Sequence, residues 1–121
     1  MIDSGATTVW EVFPGTSYGP EDFPTRSHAH AWSSAPLYFF TRIILGVTLA
    51  KAGGDAYNIS PRPGKLKQAD GTVITAKGIL KTGWKKKGTS LKIYYDAPPE
   101  IAVSFKENEE MEGLKISFSR L

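Results

Sequence analysis

The chain has 121 residues, and 40% of them are hydrophobic, 12% aromatic and 22% charged, with no cysteine. This composition is typical of one compact domain, alone or with an appendage, and it excludes a disordered chain, a collagen-like repeat and a disulfide framework. The apolar stretch 35–47 is shorter than the about 20 residues that a membrane-spanning helix needs, and a net charge of +3 is weak support for a nucleic-acid partner.

Residues 12–31 form the first distinctive segment, with the sequence Pro-Gly-Thr-Ser-Tyr-Gly-Pro at 14–20. Proline removes backbone donors and glycine raises backbone entropy, so we predict one long loop here. Long loops in compact domains are usually functional or disordered, and the many aromatic residues argue against disorder. We therefore expect the loop to line a site. Its aromatic and histidine residues, inside or beside it, are Trp10, Phe13, Tyr18, Phe23, His28, His30 and Trp32.

A helix is predicted from about Ala35 to Leu45. A serine pair before it and a proline in its first turn favour the start, and Gly46 favours the end. Only Thr41 and Arg42 are polar, so the helix is apolar nearly all round and requires burial on most sides. A chain of this length offers little to cover it. We therefore expect its second face to be covered by another copy or by residues 8–32 folded back over it, and we favour a homodimer formed through residues 35–45.

After Tyr57 the spacing of apolar residues changes from a period of 3.6 residues to a period of 2, which is typical of strands with one buried face. Short strands separated by turn sequences such as Asp70-Gly71 predict a mainly β fold, an antiparallel β-sandwich of six or seven short strands. The long loop and one apolar α-helix precede it. The predicted strands are 57–60, 64–69, 72–76, 78–85, 89–96, 100–106 and 113–119.

Residues that could carry chemistry concentrate at 7–11 and 27–33. Aromatic faces cover the apolar face of a sugar ring, while a carboxylate and an imidazole bind hydroxyl groups or activate water, so these segments fit a carbohydrate site. Taken alone, Glu11 equally fits a solvated surface charge, and two histidines without a third ligand are weak as a metal site. No phosphate-binding loop or metal spacing is present, so we expect neither a cofactor nor a metal ion.

Two motifs follow each other across the loop: Gly-Ala-Thr-Thr-Val-Trp-Glu at 5–11 and His-Ala-Trp-Ser-Ser-Ala-Pro-Leu-Tyr-Phe at 30–39. Together they resemble the C-terminal part of bacterial α-L-rhamnosidases of glycoside hydrolase family 78, and residues 59–84 resemble the start of that family's β-sandwich. The resemblance implies that residues 1–46 are the terminal loop and last helix of a truncated (α/α)₆ catalytic barrel. Residues 47–121 would be the C-terminal β-sandwich domain.

The resemblance also implies roles for individual residues. By position, Glu11 matches the general base of the family's inverting hydrolysis, and His30 matches the histidine that hydrogen-bonds the bound sugar. Trp10 matches an aromatic residue of the pocket wall. Trp32 either lines the pocket or packs beneath it, and its place beside the helix start favours packing.

A rhamnose-containing glycan or glycoside is thus the expected ligand of the parent enzyme. Inversion needs two carboxyl groups about 6.5–9.5 Å apart with a water molecule between base and sugar. Glu21 and Asp22 match no family motif, so we expect the general acid to lie outside this chain and the chain to be inactive alone. Residues 1–5 show no signal peptide. The compartment stays open, and a periplasmic or extracellular parent is compatible with the sequence.

The alternative is a non-enzymatic β-sandwich that binds carbohydrate or braces a neighbouring domain. Trp84, Tyr94 and Tyr95 are the candidates for a sugar-binding platform, although residues of this kind more often pack between strands. A third class, a nucleic-acid-binding module, rests on residues 47–121, which carry a net charge of +5. We interpret the lysines at 85–87 as a solvated hairpin tip and expect neither a nucleic-acid nor a membrane partner.

Overall fold

The computed structural model describes residues 5–11 and 27–121, which divide into two compact units between Tyr38 and Phe39. Most of the predicted long loop, at 12–26, lies outside the described residues. Those of its residues that figured in the predictions are Phe13, Tyr18, Glu21, Asp22 and Phe23.

A helical segment covers the predicted position but begins four residues earlier. It consists of a 3₁₀ helix at Ala31–Ser34, an α-helix, α1, at Ala35–Phe39, and a π-helix at Phe40–Ile44. His30 precedes it in extended conformation, and no side chain caps this end. The serine pair therefore lies inside the first turn and does not act as the predicted cap.

The predicted end of the helix at Gly46 is confirmed. The Leu45 amide donates to the Phe40 carbonyl at 2.9 Å, and Gly46 has the positive φ of 74° that glycine adopts after a helix. A Cβ atom on Gly46 would lie 2.2 Å from the backbone nitrogen of Pro61, so the two chain segments touch here. The Ser60 amide also donates to the Gly46 carbonyl at 2.9 Å.

The apolar side chains of the helical segment are substantially exposed. Leu37 is 67% exposed, Phe39 51%, Phe40 55% and Ile43 40%. Residues 5–11 and 27–121 therefore leave much of this apolar surface open. In the same residues, no helix has the length and apolar character needed to cross a bilayer.

The mainly β fold class is confirmed. The described residues contain seven strands and one further 3₁₀ helix at Glu109–Met111. The strands are β1 (Val47–Leu49), β2 (Ala56–Ile59), β3 (Gln68–Thr75), β4 (Gly78–Lys87), β5 (Ser90–Asp96), β6 (Ala102–Phe105) and β7 (Lys115–Arg120).

The strands form two sheets, in the orders β1-β2-β6 and β3-β4-β5-β7. Neighbours along the chain pair antiparallel, but β2–β6 and β5–β7 are parallel, so both sheets are mixed and not purely antiparallel as predicted. The reason is the connectivity. The chain leaves one sheet, adds strands to the other, and returns to pair with an earlier strand in the same direction, as parallel pairs require a crossover.

The turn predicted at Asp70-Gly71 is wrong, because β3 runs from Gln68 to Thr75 through both residues. The strand predicted at 64–69 is wrong over 64–67, which precede β3 as a loop. Gly71 serves packing instead. A Cβ atom there would lie 2.8 Å from Cδ1 of Leu45, so a larger residue would force the leucine side chain to shift. Strand β1 was not predicted, since three residues directly after a helix are too few to show a period of 2.

One hydrophobic cluster receives side chains from both sheets, which identifies the two sheets as the layers of a sandwich. Trp84 is 1% exposed at its centre, and its indole Nε1 donates to the Ile44 carbonyl at 2.7 Å. Phe105 of β6 and Phe118 of β7 meet across the layers with ring centroids 5.6 Å apart. The buried members of the hydrophobic cluster are Leu45, Val47, Ile59, Leu80, Trp84, Leu91, Ile93, Ala97, Ile101 and Met111.

Candidate functional site

Two backbone hydrogen bonds bring the two motif segments together within the first unit. The Glu11 amide donates to the Ser27 carbonyl at 2.9 Å, and the His30 amide donates to the Val9 carbonyl at 2.8 Å. The segments therefore run antiparallel. One residue separates the bonded positions 9 and 11, and two separate the bonded positions 27 and 30. This pairing places residues 10–11 beside 28–30, although about twenty residues separate them in sequence.

Hydroxyl groups shape the second segment. The Thr8 hydroxyl donates to the His28 carbonyl, which adds a third link between the segments. The Ser27 hydroxyl accepts from the Ala29 amide at 3.3 Å and donates to the Ala29 carbonyl at 3.2 Å, forming a local turn of the kind serine favours. The bend at 27–29 is thus built by short-range contacts that the sequence itself supplies.

Glu11 and His30 are neighbours in this arrangement. Oε2 of Glu11 lies 4.0 Å from Nδ1 of His30, and each side chain is 30% exposed. The distance exceeds that of a direct hydrogen bond, so the two groups attract each other as an ion pair only when the imidazole is protonated. Neither side chain is locked to the other. A carboxylate and an imidazole within reach of solvent can accept a proton from water and hydrogen-bond a hydroxyl group.

Aromatic rings flank this pair. Trp10 stacks on His28 with centroids 5.0 Å apart and an interplanar angle of 22°. The rings of His30 and Trp32 meet edge to face at 5.7 Å and 77°. The structure therefore brings Trp10, Glu11, His30 and Trp32 into one cluster. His28, which lies just before the motif at 30–39, joins the cluster through its stacking on Trp10.

Trp32 does not pack within the part of the chain that the structure describes, where its side chain is 84% exposed. It lies in the first turn of the helical segment, where the described residues offer no apolar surface to cover it. Its remaining predicted role is in the wall of a sugar pocket.

The sugar platform considered for the sandwich does not form. Trp84 is buried in the core, and Tyr95 stacks on Phe118 with centroids 4.9 Å apart and an interplanar angle of 19°. Tyr94 is half-buried and lies against Gly83, where a Cβ atom would be 2.6 Å from the tyrosine hydroxyl. Packing between strands accounts for these rings.

The geometry can be compared with known proteins. No family model and no curated protein matches the chain. Solved structures do match. The GH78 family rhamnosidase of Bacillus sp. GL1 superimposes on 99% of the chain with a TM-score of 0.81 and 33% identity. The chain has the fold of a segment of GH78 rhamnosidases. The alpha-L-rhamnosidase from Dictyoglumus thermophilum matches 87% of it, with a TM-score of 0.67 and 28% identity.

The chain spans 13% of the first of these proteins and 12% of the second. The resemblance that the two motifs indicated is confirmed, and the chain is a rhamnosidase-related domain. Because the first match covers nearly the whole chain, it includes the segments that carry Glu11 and His30 as well as the β-sandwich.

Proposed function

We propose that the chain supplies part of the sugar site of an inverting α-L-rhamnosidase-type glycoside hydrolase together with an accessory β-sandwich. Residues 1–46 would form the last loop and helix of the catalytic barrel, and residues 47–121 the sandwich. The observation that carries the proposal is the proximity of Glu11 and His30, 4.0 Å apart and both accessible, in a chain with the fold of rhamnosidases.

In this proposal Glu11 is the general base. Its carboxylate takes a proton from the water molecule that attacks the anomeric carbon, and its partial exposure admits that water. His30 hydrogen-bonds a sugar hydroxyl through the imidazole. Trp10 and Trp32 offer aromatic surface to the apolar face of the ring, and the high exposure of Trp32 suits a ligand-covered position.

The general acid belongs to the remainder of the site. An inverting enzyme holds its two carboxyl groups about 6.5–9.5 Å apart on opposite sides of the scissile bond. The family resemblance assigns the acid to an earlier part of the barrel, so we expect the isolated 121-residue chain to leave an aryl α-L-rhamnoside intact. Turnover by the purified chain that Glu11→Gln abolishes would contradict the proposal of an incomplete site.

A chimeric enzyme tests the role of Glu11 directly. The matched segment of the Bacillus sp. GL1 rhamnosidase is replaced by this chain, and hydrolysis of an aryl rhamnoside is followed. We expect an active chimera in which Glu11→Gln lowers kcat by about 10²–10⁴-fold, the usual contribution of general acid–base catalysis. Rhamnose binding should persist, because the amide keeps the shape of the pocket.

Glu112→Gln is the matched control, since Glu112 is an exposed glutamate of the sandwich. It should leave kcat unchanged. A chimera that binds rhamnose but hydrolyses nothing, or one in which both substitutions have equal effects, would refute the assignment of Glu11 as the base.

A further inference from the structure

A cleft of about 560 Å³ opens in the sandwich unit between the loop before β3 and the hairpin end that joins β4 to β5. Lys65 and Lys67 line it from the loop, and Lys86 and Lys87 line it from the hairpin. Leu66, which is 48% exposed, adds apolar surface between the two loop lysines. We call this feature the lysine cleft.

Hydrogen bonds between its two walls fix the shape of the lysine cleft. The Lys86 amide donates to the Lys67 carbonyl at 2.7 Å, and the Lys86 ammonium donates to the Gly64 carbonyl at 3.3 Å. The Gly64 amide in turn donates to Oε2 of Glu110 at 3.2 Å. The loop is thus held on two sides. The lysines at 85–87 are not an isolated hairpin tip, because one of them anchors the opposite wall.

The charge in the lysine cleft is uncompensated within its lining. In the part of the chain that the structure describes, no acidic side chain lines it. The nearest acid identified by its contacts, Glu110, also lies 3.7 Å from Nη1 of Arg62, so its charge is shared with another cation. Four lysine residues that line one concavity give it a positive potential. An anionic ligand complements that potential.

We propose that the lysine cleft binds the carboxylate groups of an acidic glycan, a chain that contains uronic acid residues. Lysine offers compact, rotatable charges suited to carboxylates at varied spacing. Leu66 provides a small apolar contact for a sugar ring. No aromatic ring lines the cleft within the described residues, so it lacks the stacking surface with which proteins hold single-stranded nucleic acid. The choice of a glycan rests on the proposed function as part of a glycosidase.

The test is a calorimetric titration of the 121-residue chain with trigalacturonate. It is carried out at low salt and again at about 0.15 M salt, where the Debye length is about 8 Å. We expect binding that weakens with salt. The double variant Lys65→Gln/Lys67→Gln should weaken it by about fivefold or more, because two charge contacts are removed. Lys51→Gln/Lys106→Gln removes the same charge at exposed positions outside the cleft and should have little effect.

Three results would overturn the proposal: no binding at low salt, equal weakening by the two double variants, or equally tight binding of an oligonucleotide of the same charge with the same dependence on the cleft lysines. The first two remove the site, and the third shows a general polyanion site. The titration requires neither Glu11 nor hydrolysis. An inactive chimera with intact trigalacturonate binding would therefore refute the proposed function alone, and the reverse result would refute the lysine cleft alone.

Discussion

Replacing Gly46 with alanine should destabilise the sandwich unit by far more than a positive φ explains. Any side chain at φ 74° costs about 1–2 kcal/mol because the Cβ atom approaches the following carbonyl. At Gly46 that Cβ atom would also lie 2.2 Å from the Pro61 nitrogen and 2.3 Å from the Ser60 carbonyl oxygen. These are backbone atoms that cannot rotate aside.

Gly113 provides a control with the same backbone conformation. Its φ is 76°, and a Cβ atom there would meet nothing within 4 Å. Gly113→Ala should therefore cost only the conformational part, about 1–2 kcal/mol. Overpacking adds about 1–3 kcal/mol, occasionally more, so Gly46→Ala should cost about 2–5 kcal/mol. That is a large share of the roughly 5–15 kcal/mol that stabilises a small domain.

Urea and thermal unfolding, followed by far-ultraviolet circular dichroism, measure both losses. In a domain of 60–100 residues, 1 kcal/mol shifts Tm by about 4–8 °C, so the two variants should melt about 10 °C apart. Equal losses in Gly46→Ala and Gly113→Ala would show that the segment after β2 moves away freely. The contact at Gly46 would then not be a fixed joint.

Two further predictions concern charge and association. The hydrogen bond from Arg62 lowers the pKa of the Glu109 carboxyl. The stability that this contact contributes is therefore present above the ordinary glutamate pKa and is lost as pH falls through the lowered value. The urea midpoints of the native chain and of Glu109→Gln should differ at pH 7 and converge in acid, and a gap that persists at pH 2 would contradict this. The exposed helical segment should form a homodimer that light scattering detects. Ile43→Glu should dissociate this dimer, whereas the control Ile79→Glu, at an exposed position in β4, should leave it intact. A native chain that is monomeric at high concentration would contradict this.

The sequence predicts elements whose cause is local. Gly46 ends the helix because of its own backbone freedom, and the alternation of Leu91 and Ile93 with polar residues marks β5. The errors occur where a distant residue decides. Asp70-Gly71 resembles a turn, yet Gly71 is set by the approach of Leu45 from the helix end. The parallel pairs depend on how the chain crosses between sheets, and no short window of sequence contains that information.

The candidate site shows the same division. The two motifs mark Trp10, Glu11 and His30 as candidate site residues, but the pairing of their segments is seen only in the backbone hydrogen bonds of the structure. The stacking of His28 on Trp10 and the exposure of Trp32 depend on side-chain directions that the motifs do not specify. The lysine cleft was missed because its walls lie about twenty residues apart. Only the bonds between Lys86 and the facing loop show that they form one feature.

The joint between helix and sandwich bears on what the sandwich does. The last carbonyl groups of a helix lack partners within it. Here the sandwich supplies them: the Arg62 amide donates to the Ile43 carbonyl at 2.9 Å, Trp84 Nε1 donates to the Ile44 carbonyl, and Ser60 donates to the Gly46 carbonyl.

These three donors come from the residues directly after β2 and from Trp84 of β4, so the end of the helix is held by residues of the sandwich unit. If the helix is the last one of a catalytic barrel, as we propose, the sandwich determines where that barrel ends. In that arrangement we expect the sandwich core to hold the last helix of the catalytic domain, whether or not the lysine cleft binds a glycan.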